Sequence, residues 1–319
     1  MKDTDDRSEV MTRAATGTSL ACFLGTRPHF FPLTAGSVAL GLATAAHTRG
    51  WVDPTSALLA LLGGLLAHGA VNVLNDWHDH RSGLDFLTRR TPFSGGSGTL
   101  TLGLAAPRQF LAMGIACLAA LVPIGAYLAL NHGPGIIPLG MAGVALVLAY
   151  TPLLTRRPLT GLAAPGLGFG PIMVLGTYFA QTGNLGLASL VAAIITGTLS
   201  SALLLLSQFP DRRADAAVGR RSYPGVRGIR ASTRIYAGLL AAAYLAILAG
   251  WTAGLWPPHV GLGLLTLPLA ARTAQGASNW EADWEANPRP HLQLLAHNVV
   301  IVLLTPMLVA AGIALSRLP

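Results

Sequence analysis

The stretch "ALLALLGGLLAHGAVNVLNDWHDHRSGLD", residues 57–85, joins an apolar segment directly to a cluster of acids and amides. Its first half lacks Asp, Glu, Lys and Arg, as expected for part of a membrane-spanning helix, which needs about 20 apolar residues. Its second half contains three aspartates, Asp76, Asp79 and Asp85. Acids in or at the edge of a membrane are costly and usually have a function. The stretch therefore predicts a membrane protein with a polar site at the end of one helix.

The composition of the whole chain supports this interpretation. Of its 319 residues, 52% are hydrophobic and 11% are charged, whereas soluble domains carry about 25% charged residues. The mean hydropathy is +0.55. Cys22 and Cys117 lie in apolar surroundings without the spacing of metal ligands, so neither a disulfide framework nor a zinc site is expected.

Nine apolar segments predict membrane spans. We place them at 29–48, 55–76, 109–131, 135–153, 161–181, 184–207, 233–252, 255–272 and 293–315. Pro257, Pro258 and Pro268 interrupt the eighth segment, and membrane helices tolerate proline better than soluble ones do. The predicted fold class is therefore an all-α, polytopic membrane protein with nine transmembrane helices.

The basic residues indicate the orientation of these spans. All 21 lysines and arginines except Arg49 and Arg317 lie in or next to the N-terminal segment or the loops after spans 2, 4, 6 and 8. Cytoplasmic loops carry an excess of such residues. We therefore expect a protein of the cytoplasmic (inner) membrane with its N-terminus inside and its C-terminus outside. The net charge of +8 has the same explanation, so nucleic acid is not an expected partner.

The N-terminal residues 1–26 differ from the rest of the chain. They include several acids and no apolar core, unlike a cleaved signal peptide. We expect a solvated, disordered cytoplasmic tail over 1–26 and a single transmembrane domain over 27–319.

A second acidic cluster lies in "SQFPDRRADAAVGRRSYPG", residues 207–225, which contains Asp211 and Asp215. We place this cluster in the loop after span 6, and the first cluster in the loop after span 2, so both emerge on the cytoplasmic side. Facing carboxylate pairs repel each other unless cations lie between them. Oxygen ligands favour Mg²⁺, which binds through a few carboxylates together with substrate phosphates.

Basic residues and glycines near both clusters predict an anion site. Arginines bind phosphate oxygens with several N–H groups, and the candidates are Arg81, Arg89, Arg90, Arg220 and Arg221. Backbone N–H groups of "SGGSG", residues 94–98, are further candidate donors. Two other interpretations stay open: a solvated turn at a helix end, and a zinc site at His78 and His80, which lacks supporting Cys or HxxxH spacing.

At these residues the chain resembles the UbiA superfamily of intramembrane prenyltransferases. Asn72-x-x-Asn75-Asp76-x-x-Asp79 and Asp211-x-x-x-Asp215 are similar to the two aspartate-rich motifs of that family. The position of Asp85, with "RTPFSGGSGTLTLG" at 90–103 and "LGTYFAQTG" at 175–183, resembles the branch that prenylates 1,4-dihydroxy-2-naphthoate in menaquinone biosynthesis. The likeness covers most of residues 27–230. Two departures are "GLAA" at 161–164, where that branch usually has an acid, and Ser207, where asparagine is common.

The resemblance implies a reaction and a site. A polyprenyl group passes from a polyprenyl diphosphate to an aromatic ring, with Mg²⁺, two ions by this analogy, as cofactor. The implied metal ligands, which are also the implied catalytic residues, are Asp76, Asp79, Asp211 and Asp215, and Asn72 and Asn75 are neutral partners. Residues expected on the acceptor side are Asp85, Tyr150, Arg156, Arg157, His68 and Tyr178. The prenyl tail would lie in a groove that opens to lipid.

Three alternatives to this function remain. The first is a UbiA-type enzyme with another acceptor, such as a hydroxybenzoate, homogentisate or a specialised aromatic metabolite. The second is a cation- or proton-coupled transporter, which predicts acids at mid-membrane and inverted repeats. The third is a non-catalytic scaffold, which would be expected to lose motif aspartates.

Overall fold

The computed structural model describes residues 17, 19–280 and 284–316, and over these residues the chain forms helices and no strands. The helices in chain order are α1 Phe31–Arg49, α2 Pro54–Ser82, α3 Leu84–Leu87, α4 Pro107–His132, α5 Ile136–Tyr150, α6 Pro158–Thr182, α7 Leu187–Ala217, α8 Tyr223–Thr252, α9 Leu267–Ser278 and α10 Pro288–Leu315. The all-α prediction is confirmed.

Seven of these helices are long and apolar enough to cross a membrane, counted over the described residues: α1, α2, α4, α6, α7, α8 and α10. The fourth predicted span corresponds to α5, which has only 15 residues. The eighth corresponds to the 3-10 helix Pro258–Thr266 followed by α9, because prolines interrupt regular α-helix there. The count of nine spans and the cytoplasmic N-terminus therefore stay predictions.

Helix α7 lies at the centre of the bundle. Leu199, Leu205 and Phe209 on this helix are fully buried. Gly197 lies against α6, where an added Cβ would come within 2.9 Å of the Gly166 carbonyl oxygen. Small residues allow membrane helices to approach this closely. At the periphery, α4 exposes the large apolar side chains that lipid would contact, Ile115, Val122 and Leu130.

The expectation that the acidic clusters lie in the loops after spans 2 and 6 was wrong. Helix α2 continues to Ser82 rather than residue 76, and α7 continues to Ala217 rather than residue 207. Asp76, Asp79, Asp211 and Asp215 therefore lie on helices and not in loops. Hydropathy marks only the apolar part of a helix, whereas its end depends on backbone signals such as Gly83, whose φ of 82° terminates α2.

The predicted N-terminal tail is only partly covered by the structure. Residues 1–16 and 18 lie outside the described residues, so the expected disorder there stays a prediction. Residues 19–25 are helical, and Ala21 is buried. The end of the segment that we expected to be a solvated tail is therefore ordered, because Ala21 is buried and Cys22 packs against the cluster formed by Val73, Leu100 and Phe110.

Candidate active site

A cavity of about 290 Å³ opens at one end of the bundle. Its inner part is lined by apolar side chains of five helices, including Leu33, Val71, Leu146, Phe169 and Leu203. Its mouth is lined by charged and amide side chains, Arg27, Asn72, Asn75, Asp79, Asp85, Asp211, Asp215 and Arg220. The cavity therefore combines a polar end with a long apolar surface, as a ligand with a charged head and a hydrocarbon tail requires.

The two acidic helices meet at this mouth. Asp79 lies near the end of α2 and Asp215 near the end of α7, and both side chains are more than 90% buried. Arg220 connects them, because its Nη2 is 2.6 Å from Asp79 Oδ1 and its Nη1 is 3.7 Å from Asp215 Oδ1. Asp76 and Asp211 lie one helical turn before Asp79 and Asp215. The fold thus brings the two predicted motifs together.

The loop between α3 and α4 crosses from one acidic helix to the other. The hydroxyl of Ser94 donates to Asp211 Oδ1 at 3.2 Å, and the backbone N–H of Ser97 donates to Asp76 Oδ2 at 3.1 Å. Gly95 and Gly96 line the cavity between these two contacts. The "SGGSG" segment therefore positions the carboxylates as well as covering them.

Asp85, on the short helix α3, lies beside the carboxylates of the first motif. A Cβ at Gly96, where φ is 74°, would lie 3.0 Å from Asp85 Oδ1 and 3.6 Å from Asp76 Oδ1. Burial, with the charges of Asp76 and Asp79, raises the pKa of Asp85 to about 7. The sequence analysis expected Asp85 on the acceptor side, and the structure locates it beside the motif aspartates.

Sequence reasoning did not identify Arg27 as a site residue. Its Nη2 lies 2.5 Å from Asp76 Oδ1 and 3.4 Å from Asn75 Oδ1. Among the described residues, Arg27 is the only non-glycine residue with positive φ, at 56°. Such a conformation costs about 1–3 kcal/mol and concentrates at functional sites. The available signal was a single arginine before the first span, which we used only to orient the chain.

The amides and His68 form the side of the cavity next to the acids. Asn75 Nδ2 donates to Asp79 Oδ2 at 3.0 Å and to Thr151 Oγ1 at 3.1 Å. His68 Nδ1 is 2.8 Å from Thr34 Oγ1, and its ring contacts Phe169 at a centroid distance of 5.0 Å. The hydrogen bond with Thr34 fixes the orientation of the His68 ring. It uses Nδ1, so Nε2 is the ring nitrogen that Thr34 does not contact.

The remaining predicted residues fall into two groups. Tyr150 and Arg221 line the cavity, and Asn72 does so while donating to the Thr26 carbonyl at 2.9 Å. Arg81, Arg89, Arg90, Arg156, Arg157 and Tyr178 are not among its lining residues. Arg81 stacks on Trp77, and Arg89 is 3.5 Å from Glu285. Tyr178 is buried beside Gly186, at the opposite end of α7 from Asp215.

The carboxylates fit a magnesium ion that shares its coordination with a substrate. Among the described residues, no three His, Cys, Asp or Glu side chains form a cluster for one metal ion. Mg²⁺ usually binds through one or two carboxylates, waters and substrate phosphates. Asp79 and Asp215 approach one guanidinium from two helices, and the gap at Gly96 separates two further carboxylates. These are hard oxygen donors with space between them.

A model of the UbiA prenyltransferase family matches residues 14–288. The 1,4-dihydroxy-2-naphthoate octaprenyltransferase of Mycobacterium tuberculosis is 28% identical over 298 residues, which cover 92% of this chain and 97% of that protein. Two solved structures of UbiA homologs share the helical architecture.

The apo structure of a UbiA homolog from Aeropyrum pernix K1 has a TM-score of 0.68 and 19% identity, covering 89% of this chain and 98% of that chain. A UbiA homolog from Archaeoglobus fulgidus bound to GPP and Mg²⁺ has a TM-score of 0.60 and 12% identity, covering 91% of this chain and 99% of that one. At these identities the likeness concerns the fold alone.

Proposed function

The chain belongs to the UbiA prenyltransferase family, and we propose that it transfers a polyprenyl group from a polyprenyl diphosphate to 1,4-dihydroxy-2-naphthoate, in menaquinone biosynthesis. The observation that carries the proposal is the cavity with acids and arginines at its mouth and apolar side chains along its depth. The acceptor is supported by the name of the M. tuberculosis relative, which matches nearly its full length. The branch resemblance of residues 90–103 and 175–183 points to the same acceptor.

The diphosphate head would bind at the mouth together with Mg²⁺. We assign the metal to Asp76, Asp79, Asp211 and Asp215, with Asn72 and Asn75 as neutral partners. When bound, Mg²⁺ would neutralise the charge that develops on the leaving diphosphate. The A. fulgidus homolog bound to GPP and Mg²⁺ supports this combination of ligands. Arg27, Arg220 and Arg221 would donate N–H groups to phosphate oxygens.

The apolar part of the cavity has two roles in the reaction. Leu33, Phe169 and Leu203 would hold the first isoprene units of the tail. They would also exclude water after the bond between the allylic carbon and the phosphate oxygen breaks, so that water does not capture the allylic cation. The aromatic ring carbon then forms the new bond, and the ring loses its carboxyl group as CO₂.

The acceptor ring would lie between the allylic carbon and His68. The imidazole is held through Nδ1 by Thr34, so Nε2 is the atom that can hydrogen-bond an acceptor hydroxyl. Tyr150 also lines the cavity. The proposed site does not include Arg81, Arg89, Arg90, Arg156, Arg157 or Tyr178, because they do not line the cavity. The arginine distribution supports an active site on the cytoplasmic side of the cytoplasmic membrane.

The proposal is tested with membranes that contain the expressed protein. They are incubated with Mg²⁺, farnesyl or longer diphosphates and a panel of acceptors: 1,4-dihydroxy-2-naphthoate, 4-hydroxybenzoate and homogentisate. Mass spectrometry should detect a prenylated product that lacks the carboxyl group only with the naphthoate. A product only with another acceptor would contradict the naphthoate assignment, and no product with any acceptor would contradict prenyl transfer to these aromatic rings.

A further inference from the structure

Two arginines occupy the same oxygen atoms that the proposed metal ligands would offer to Mg²⁺. Arg27 contacts Asp76 Oδ1 at 2.5 Å, and Arg220 contacts Asp79 Oδ1 at 2.6 Å. The side chains of Arg27 and Arg220 are only 20% and 19% exposed. Each arginine lies outside the helices that carry the aspartates, so each side chain can change rotamer without a shift of α2 or α7.

Arg27 retains unused hydrogen-bonding capacity at the cavity. Its Nε is buried and has no hydrogen-bond partner among the residues that the structure describes. Buried polar groups are nearly always hydrogen-bonded, so an unpaired buried donor on a charged side chain indicates a partner that binds there. The guanidinium lines the cavity mouth, and its fork of donors matches the oxygens of a phosphate group. The unpaired Nε takes no part in the contact between Arg27 Nη2 and Asp76, and it points to an anionic ligand.

Binding of a metal ion alone would leave the positive charge of Arg220 without a counterion. The Arg220 guanidinium lies 2.6 Å from Asp79 Oδ1 and 3.7 Å from Asp215 Oδ1, and an arginine side chain stays positively charged in proteins. Mg²⁺ bound to the same carboxylates would lie close to this positive guanidinium and would be repelled by it. A diphosphate removes that repulsion, because it offers oxygens to both the metal and the arginines.

We propose that Arg27 and Arg220 are exchangeable counterions, which hold the metal-binding carboxylates until a diphosphate takes over their N–H groups. This inference rests on the proposed function. Its consequence is a coupled site: divalent metal alone binds weakly, and metal and diphosphate strengthen each other's binding reciprocally. The arginines are then positioning residues for the metal as well as ligands of the diphosphate.

The test measures binding rather than turnover, on purified protein in nanodiscs. Electron paramagnetic resonance reports bound Mn²⁺, first alone and then with farnesyl S-thiolodiphosphate, an unreactive donor analogue. The variants are Arg27→Gln, Arg220→Gln and the charge-retaining Arg220→Lys. The control is Arg108→Gln, which removes an exposed positive charge at the start of α4. Thermal unfolding identifies any variant that does not fold.

Relative to wild type, Arg220→Gln should bind Mn²⁺ alone about tenfold more tightly and the analogue with Mn²⁺ about tenfold less tightly, since each change alters contacts to a charged group. Arg27→Gln should change both affinities in the same directions. Arg220→Lys and Arg108→Gln should bind Mn²⁺ alone as wild type does. If Arg220→Gln fails to fold, Arg27→Gln carries the same prediction.

Two results would contradict the inference in distinguishable ways. If wild type binds the analogue with metal but neither glutamine variant binds Mn²⁺ alone more tightly, the counterion exchange is wrong and the proposed function stands. If wild type shows no metal-dependent binding of the analogue, the proposed function is wrong, and the exchange fails with it.

Discussion

Arg220 and Asp79 form a buried ion pair at 2.6 Å, although 141 residues separate them in the sequence. The pair joins the segment after α7 to the end of α2, so it brings together the two halves of the chain that carry the acidic motifs. An ion pair of this kind is weak support for stability, since desolvation of both charges offsets their attraction. Its position at the mouth of an apolar cavity indicates a role in binding instead.

The carboxylates at the cavity mouth should be required for turnover. Asp211→Asn preserves the size of the side chain but removes its charge, and loss of one metal ligand should lower prenyl transfer at least about 100-fold. The measurement is product formation in membranes per amount of folded protein.

The control for Asp211→Asn is Asp53→Ala. Asp53 lies at the start of α2, away from the acidic cluster at the end of that helix, and accepts a hydrogen bond from the Ser56 N–H at 2.8 Å. Loss of this helix cap should cost about 1 kcal/mol of stability and leave turnover per folded protein within about twofold. Wild-type turnover by Asp211→Asn would exclude the proposed metal ligand.

Gly96 should be needed for chemistry and not only for the turn. Gly96→Ala combines a strained positive φ with a Cβ between Asp85 and Asp76, 3.0 and 3.6 Å from their oxygens. Gly103 also has positive φ, at 68°, but an added Cβ would meet nothing within 4 Å. Gly103→Ala therefore controls for backbone strain alone. We expect turnover to fall about tenfold more for Gly96→Ala than for Gly103→Ala. Equal losses of turnover would mean that the space at Gly96 between Asp85 and Asp76 has no role beyond the turn.

Asp85 should make the stability of the protein depend on pH when divalent metal is chelated. Its pKa is raised from 3.8 to about 7 in the folded protein, so the folded state binds more protons than the unfolded state between these values. The stability that the protonated carboxyl contributes is present below pH 4 and is lost as pH rises through 7.

Asp85→Asn should therefore raise the thermal midpoint in EDTA at pH 8 relative to wild type, and should change it little at pH 4. The measurement is thermal unfolding at both pH values. An equal effect at both would show that the charge of Asp85 is not responsible.

His68 should determine binding of the acceptor rather than of the donor. His68→Phe keeps a ring beside Phe169 but removes Nε2 and the contact with Thr34. We expect KM for the acceptor to rise about tenfold with little change in KM for the diphosphate, as loss of one hydrogen bond predicts. Tyr178→Phe, buried at the far end of α7, should leave both constants unchanged. A change confined to the diphosphate KM would reassign His68 to the donor side.

The sequence predicted the features that depend on local pattern. Seven spans follow from apolar length, and the spacing of Asp211 and Asp215 follows from the helical repeat. Helix ends were less predictable, because α2 and α7 continue as helices well past the points where the sequence turns polar. Arg27 could not be identified, since one arginine before an apolar segment resembles any orienting charge until tertiary packing brings it to Asp76.

The "SGGSG" loop shows a second limit of the sequence. Its glycines predicted backbone donors for an anion, yet the N–H of Ser97 donates to Asp76, and the hydroxyl of Ser94 donates to Asp211. Which partner a backbone group finds depends on contacts between distant segments. The cation–π contact of Arg81 and the ion pair of Arg89 likewise arise from tertiary neighbours that spacing alone does not identify.

The central claim is that the motifs on α2 and α7 hold one metal-bound diphosphate between them. It is tested most directly by anomalous diffraction from crystals grown with Mn²⁺ and farnesyl S-thiolodiphosphate. The account predicts metal density at the cavity mouth, within coordination distance of carboxylate oxygens, with ligands from both helices and from the diphosphate. Metal density held by only one of the two helices, or a diphosphate bound elsewhere, would contradict it.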